Sequence, residues 1–274
     1  GERALVGLVP FGHDGTPPPR AARPVLKGVH PKIGPTDRVL LWGGGIWNWS
    51  DPLTLIRAVA GLTKRRNDVK LFFMASRHAG ADTVGREMLE RAVALARELG
   101  VLGVSVLFNE TWVPFEERGA YLQESDLAVC TTPEGLENHF SFRTRLVDAV
   151  WCGVPIVCTR DGFFGDFVER EGLGLTVAGG DTARLQTALE QALEPEAQAR
   201  FRSNLERCRD LLRWDRCLEP LVEFCRRVAE GRYQPPPIPA WRRWTRWLRY
   251  KAASRIGQHE TGPTGIPLAP DEKV

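Results

Sequence analysis

The stretch from Leu127 to Gly162 constrains the fold of this chain more than any other. Leu127 to Cys130 is a short apolar run of the kind buried inside a parallel sheet. It gives way to a polar loop, Thr131 to His139, that carries Glu134, Glu137, Asn138 and His139. Ser141 is placed to cap a helix whose apolar face is Leu146, Val147, Val150 and Trp151. Gly153 and Pro155 stop that helix, Pro155 to Thr159 reads as a second buried strand, and Asp161-Gly162 as a turn. Strand, polar loop, helix, strand is a βαβ unit. Its chemistry belongs at the carboxyl end of the first strand, where the loop meets a helix N-terminus.

The same alternation runs along the rest of the chain. Val39 to Trp42 reads as a strand, followed at once by Gly43-Gly44-Gly45 and a helix capped by Ser50 or Asp51, with Pro52 at its first position. Glycines after a strand let backbone approach a ligand, and the next helix offers N–H donors to an anion. A tight turn explains three glycines about as well, and the run is neither GxGxxG nor a P-loop. Val69 to Ala75 is a further strand, with Arg77 at its carboxyl end as a phosphate contact or a solvated loop residue. Thr83 to Leu99 is an amphipathic helix, Val104 to Phe108 a strand and Phe115 to Gln123 a helix. Past Gly162 come a short helix at Phe167 to Glu171, a strand at Leu173 to Val177, and a helix from an Asp181 cap to Leu193. Two more helices follow, Glu196 to Leu212 and Arg216 to Val228. The pattern predicts an α/β fold: a doubly wound, mostly parallel, Rossmann-like sheet with a helical carboxyl-terminal extension.

The ends differ in composition. Ala4 to Pro10 reads as an apolar strand, and Thr16 to Pro24 is rich in Pro and Arg. This predicts the end of a preceding domain over 1–15, a linker over 16–36 and the main domain over 37–232; an edge strand of the main domain is the alternative for the first segment. A Pro-rich spacer and a helix are expected over 233–257, and a disordered tail over 258–274. Trp241 to Ile256 contains no acid. Trp241, Trp244, Trp247 and Leu248 fall on one side of a helix and Arg242, Arg243, Arg246 and Arg249 on the other. That suits an anionic membrane surface, or alternatively another domain. The net charge of +3 is too small to imply nucleic acid as a partner. The six cysteines form no CxxC pair and read as reduced, buried thiols of a cytosolic protein, with no metal site. No run approaches the roughly 20 apolar residues of a membrane span.

From Glu134 onward the sequence resembles the carboxyl-terminal, donor-binding domain of glycosyltransferase family 4, the group 1 glycosyltransferases of GT-B fold. That family carries an E-x(7)-E pair and then A-x-x-x-G-x-P before a strand. Asp148-Ala149-Val150-Trp151-Cys152-Gly153-Val154-Pro155 looks like the second acid and its sequel, and Glu134-Gly135 like the first acid. The glycine run, the helix from Asp51 and the segment Ala4 to Asp14 match in order, so the resemblance extends over roughly Ala4 to Val228.

The resemblance implies transfer of a sugar from a nucleotide diphosphate sugar with retention of configuration, without a metal and without a separate cofactor. It implies a cytoplasmic protein, peripheral to the inner face of the membrane, acting on a lipid-linked or cell-envelope glycan in polysaccharide biosynthesis. Glu134, Arg143 and Arg145 would be catalytic: Glu134 orients the sugar hydroxyls, while the two guanidiniums, with Arg77 and the amides of Gly43, Gly44 and Gly45, stabilise the leaving diphosphate. Asp148 would hold the ribose diol, His139 the donor sugar or phosphate, and Glu137, Asn138 and Ser141 complete the binding loop. Acceptor contacts would lie in the preceding domain, so this chain alone is expected to bind donor but transfer little.

The sequence also departs from the family. Fourteen positions separate Glu134 from Asp148 rather than eight, so Glu137 is a rival for the first acid, and the second acid is Asp. The Arg and Lys common between the first strand and helix are replaced by Gly-Ile-Trp-Asn-Trp-Ser. Arg143 and Arg145 fall in the first turn of a helix, where the dipole disfavours cations unless an anion is shared. That anion is a phosphate or, on the plainer reading, Glu134 and Glu137. Competing functions are a nucleotide-sugar epimerase of related fold and a non-catalytic nucleotide- or partner-binding module.

Overall fold

The computed structural model describes residues 7–19, 21–75, 86–111 and 113–232. The chain divides into two units, 1–221 and 222–274. In the first, six strands form one sheet: β1 (Arg38–Gly45), β2 (Val69–Ala75), β3 (Val106–Phe108), β4 (Leu127–Cys130), β5 (Ile156–Thr159) and β6 (Gly174–Val177). Their order is β3-β2-β1-β4-β5-β6, and every pairing is parallel. The expected doubly wound parallel sheet is therefore present.

Alternation along the strands sorts two apolar layers. Leu40 and Trp42 of β1, with Leu71 and Phe73 of β2, face α1 (Pro52–Leu62), α2 (Arg86–Glu98) and α7 (Thr182–Ala192). Val39, Leu41, Phe72, Ala128 and Cys130 face the other way. They pack on α3 (Arg118–Gln123), α5 (Thr144–Cys152), α6 (Gly162–Glu171) and part of α8 (Pro195–Cys208). Burying one Leu or Phe in such a layer contributes roughly 1.5–3 kcal/mol. A 3-10 turn (Arg209–Leu212) and α9 (Trp214–Cys217) complete the unit, and α10 (Glu219–Ala229) spans the boundary between the two units in sequence. The second unit is described only as the remainder of α10 and the residues after it, to 232.

Strand β1 starts a new direction at the centre of the sheet. β2 lies on one side of it and β4 on the other, so the loops leaving β1 and β4 diverge and open a crevice at their carboxyl ends.

Several local expectations are corrected. β1 runs through the glycines to Gly45, with a bulge between Trp42 and Gly45. The loop after β4 contains a short helix, α4 (Leu136–Phe140). Ser141 does not cap α5. It is extended, and its hydroxyl donates to Glu137 at 2.6 Å, so the helix begins two residues after Phe142 with Arg143 at its N-cap and no side-chain cap. α6 begins at Gly162, five residues before the expected Phe167, because Asp161 caps it.

The amino-terminal segment also differs. Residues 7–12 form no strand; instead His13 N–H donates to the Leu212 carbonyl at 2.8 Å, and Trp214 N–H to the His13 carbonyl at 2.9 Å. The stretch 21–36, expected as linker, packs on the domain. Leu26 and Ile33 are 1% and 2% exposed, and the Glu124 carboxylate accepts the backbone N–H groups of Val25, Leu26 and Lys27. Arg77, the start of the expected Thr83 helix, and the Trp241 to Ile256 helix with its tail lie outside the described residues.

Candidate active site

The crevice between β1 and β4 is lined first by the three glycines. Each meets something different. A side chain on Gly43 would enter open space. One on Gly44 would meet the Arg145 guanidinium carbon at 3.2 Å, and one on Gly45 would meet the Trp47 indole at 3.2 Å. Gly44 and Gly45 are thus crowded by protein side chains, and of the three only Gly43 has open space.

Arg145 is the bridge across the crevice. Its Nη2 donates to the Gly45 carbonyl at 3.1 Å, and the Trp42 indole N–H donates to the same oxygen at 3.2 Å. The guanidinium carbon lies 4.9 Å from the Trp42 ring centroid, a cation–π contact on a fully buried indole. Burial holds the Arg145 pKa below its ordinary value, and the neighbouring Arg143 charge adds to that. Its Nη1 is shut off from solvent and has no hydrogen-bond partner among the described residues. The same is true of Arg143 Nε. Charged donors left unmatched in a buried place are costly, and an acceptor of opposite charge relieves them.

The rest of the Arg143 guanidinium is matched. Nη1 and Nη2 grip Glu137 at 3.0 and 2.5 Å, and Ser141 adds its hydroxyl. Burial pushes the Glu137 carboxyl up, but these hydrogen bonds outweigh it and hold the pKa below its usual value. The plainer reading of the two arginines, ion pairing with a loop acid, is therefore realised for Arg143 and Glu137. Arg145 has no acid partner among the described residues. A cavity of about 10 Å³, room for one water, lies beside Arg143, lined also by Cys130, Thr132, Asn138 and Asp161.

Asn138 is buried at 6% exposure and acts as a tie. Its Oδ1 accepts from the Thr132 hydroxyl at 2.6 Å and its Nδ2 donates to the Arg160 carbonyl at 3.0 Å, joining the loops after β4 and β5. His139 is exposed, with Nδ1 2.8 Å from Asp161 Oδ1. Asp161 itself has φ 77° and ψ 152°, the only positive φ outside glycine among the described residues. Glu134 is exposed on the loop before α4 and lies over Gly179, whose missing side chain would meet Glu134 Cγ at 2.9 Å. It makes no ion pair among the described residues.

Asp148 lies one helical turn beyond Arg145 on α5. Arg118 Nη2 holds its carboxylate at 3.0 Å, and Arg118 in turn lies 3.4 Å over the Phe115 ring. The ion pair alone would lower the acid's pKa, yet burial outweighs it and pushes Asp148 up to about 6. Arg145 thus packs on Gly44 and Gly45, Arg143 on Glu137, and Asp148 on Arg118. Sequence reading missed Trp42 beneath Arg145, Arg118 on Asp148 and Asp161 on His139. None carries a motif; each depends on which strands are neighbours. Among the described residues no group of three or more His, Cys, Asp or Glu side chains is placed to hold a metal. None of the described helices is long and apolar enough to cross a membrane.

Comparison with known proteins follows the same lines. The chain is 32% identical over 152 residues to the D-inositol 3-phosphate glycosyltransferase of Corynebacterium jeikeium, covering 56% of this chain and 34% of that protein. It therefore spans about a third of that relative's length. Among solved structures, sucrose-phosphate synthase from Thermosynechococcus elongatus superposes with a TM-score of 0.63 at 20% identity, over 82% of this chain and 53% of that one. Anabaena HepE, solved with UDP and glucose, superposes with a TM-score of 0.57 at 18% identity, over 69% and 48%. Both share the GT-B type of fold. The family model described as "Glycosyl transferases group 1" matches residues 37–195, the whole of the sheet with its crevice, and the chain belongs to that family.

Proposed function

We propose that this chain binds a nucleoside diphosphate sugar in the crevice between β1 and β4, as the donor half of a retaining glycosyltransferase that needs no metal. One observation carries the reading: two neighbouring guanidiniums hold buried N–H groups, Arg145 Nη1 and Arg143 Nε, that have no acceptor among the described residues. A diphosphate supplies those acceptors and offsets the repulsion between the two cations. Gly43, in the same glycine run, has open space where its side chain would be. The likeness to Anabaena HepE, solved with UDP and glucose, supports a nucleotide-sugar donor, and the likeness to the D-inositol 3-phosphate glycosyltransferase supports glycosyl transfer.

In the reaction, the bond from the anomeric carbon to the diphosphate oxygen breaks and its electron pair goes to that oxygen. Arg145 and Arg143 stabilise the charge as it develops. The acceptor oxygen bonds to the same face of the sugar, and its proton passes to the departing diphosphate. Glu134, which makes no ion pair among the described residues, orients the sugar hydroxyls; Glu137 is the lesser candidate because Arg143 occupies it. Asp148 takes the ribose diol once the ribose replaces Arg118 as its partner. The acceptor is a lipid-linked or cell-envelope glycan, held by a further domain, and the protein works in the cytoplasm at the membrane's inner face.

Calorimetric titration with UDP, GDP and ADP, each with and without EDTA, tests this. One diphosphate is expected to bind, unaffected by chelator. Silence from all three rejects the donor site, and binding that chelator abolishes rejects metal independence.

A further inference from the structure

The loop after β1 puts two indoles where the family resemblance leads one to expect Arg and Lys. Trp47 and Trp49 stack with centroids 5.2 Å apart and planes 5° from parallel. The turn that presents them is tightly made. Ser50 N–H donates to the Trp47 carbonyl at 2.9 Å, and Trp47 N–H to the Ser50 hydroxyl at 3.3 Å. The next residue is fastened to β4: Asp51 N–H donates to the Thr131 carbonyl at 2.9 Å, and the Thr131 hydroxyl donates to the Asp51 carbonyl at 2.6 Å. The pair is thus held in a made turn, yet Trp49 remains 43% exposed, and Asn48, between them in sequence, is exposed. A stacked indole left in water forgoes much of the apolar area it could bury.

Its position says what could cover it. Gly45 has the Trp47 ring against its α-carbon and Arg145 on its carbonyl. An anion-seeking guanidinium and the indole that backs Trp49 therefore flank a single residue. A ligand matching both has a ring with an apolar face close to a phosphate, and polar groups at the ring's edge for Asn48.

We propose that Trp49, backed by Trp47, is a stacking platform for a pyranose ring, which turns its C–H face to the indole. The ring belongs either to the donor sugar or to a sugar of the acceptor. The proposal rests on the nucleotide-sugar reading of the neighbouring crevice.

The test uses the full chain and the variants Trp49→Ala, Trp49→Phe and Trp49→Leu, the last keeping apolar bulk without a π-face should the alanine variant not fold. Calorimetry is run with UDP against UDP-glucose and GDP against GDP-mannose, and saturation-transfer NMR with methyl α-D-glucopyranoside. If the platform holds the donor sugar, the nucleotide sugar loses about tenfold in affinity in Trp49→Ala and Trp49→Leu, while the bare nucleotide is unchanged and Trp49→Phe recovers most of the loss. If it holds an acceptor sugar, saturation transfer to the glucoside disappears in the same two variants and donor affinity stays. Unchanged binding of every ligand overturns the proposal, as does an equal fall for nucleotide and nucleotide sugar, which marks a base-stacking site. Wild-type silence to all nucleotides defeats the donor reading instead, and the glucoside arm then decides the platform alone.

Discussion

Arg145 Nη2 and the Trp42 indole N–H share the Gly45 carbonyl, the arginine reaching back one hundred residues to do so. The contact joins the helix after β4 to the end of β1, the two elements whose loops diverge at the centre of the sheet. It also holds the guanidinium carbon 4.9 Å over the Trp42 ring, with Nη2 spent and Nη1 without a partner among the described residues.

A planar, forked guanidinium over an indole cannot be replaced by a point charge. Arg145→Lys should keep the positive charge but lose the Gly45 bond and the stacking. We expect nucleoside diphosphate affinity to fall at least tenfold and stability to drop by about 1–3 kcal/mol. Calorimetry and urea unfolding measure the two separately. Wild-type affinity in a folded lysine variant counts against Arg145 as the anion ligand.

The three glycines give a sharper separation. Gly43→Ala adds a methyl to open space and should fold like wild type while weakening diphosphate binding by crowding it. Gly44→Ala pushes on the Arg145 guanidinium at 3.2 Å and should lower both stability and affinity. Equal behaviour of the two variants in a thermal melt contradicts the packing described for Gly44.

How much of this was legible in the sequence follows from what each feature depends on. The sheet was legible because buried strands and amphipathic helices announce themselves by local period, and Asp51 and Asp181 cap as their spacing suggests. α4 was not, since its Leu136 and Phe140 are exposed and a five-residue helix has no apolar stripe to read. The arginines at the start of α5 are electrostatic oddities in the sequence, but that Glu137 takes one and the Gly45 carbonyl the other depends on loop path and strand order. Prolines and arginines made 16–36 look like a linker. Leu26 and Ile33 were the contrary signal, and the acid that fastens them, Glu124, lies nearly a hundred residues on.

That fastening is testable. Glu124→Ala strands three backbone N–H groups that now meet a carboxylate, at a cost of about 2–4 kcal/mol. Limited proteolysis should then cut within 16–30 while the sheet survives. Resistance equal to wild type argues that Leu26 and Ile33 hold the segment unaided.

Asp161 offers a reversal of a usual order. Alanine normally beats glycine for stability because glycine loses more backbone freedom on folding. At φ 77° and ψ 152° only glycine is at ease. Both Asp161→Gly and Asp161→Ala remove the carboxylate that meets His139 and Gly162 N–H, so they differ in backbone alone. The glycine variant should melt higher than the alanine variant, on the order of 3 °C or more. The opposite order shows that the backbone relaxes without cost.

Two buried groups titrate in opposing directions. His13 accepts Gly15 N–H on Nδ1, so its Nε2 carries the proton donated to the Arg209 carbonyl. Burial holds its pKa below 6.5. A depressed folded pKa means the contribution is present above the unfolded value and is lost as pH falls through the folded one. Asp148 is the reverse. Its folded pKa, about 6, exceeds the unfolded 3.8, so its contribution is whole below 3.8 and is lost as pH rises through about 6, on the order of 3 kcal/mol. The two effects overlap and partly cancel in wild type between pH 4 and 6.5. Asp148→Asn removes one of them, and its unfolding midpoint should therefore climb more steeply with pH than wild type across that window. His13→Gln removes the other and should decline more steeply. Urea midpoints at four pH values decide it: parallel curves for Asp148→Asn and wild type mean that Arg118, not burial, governs the Asp148 carboxyl.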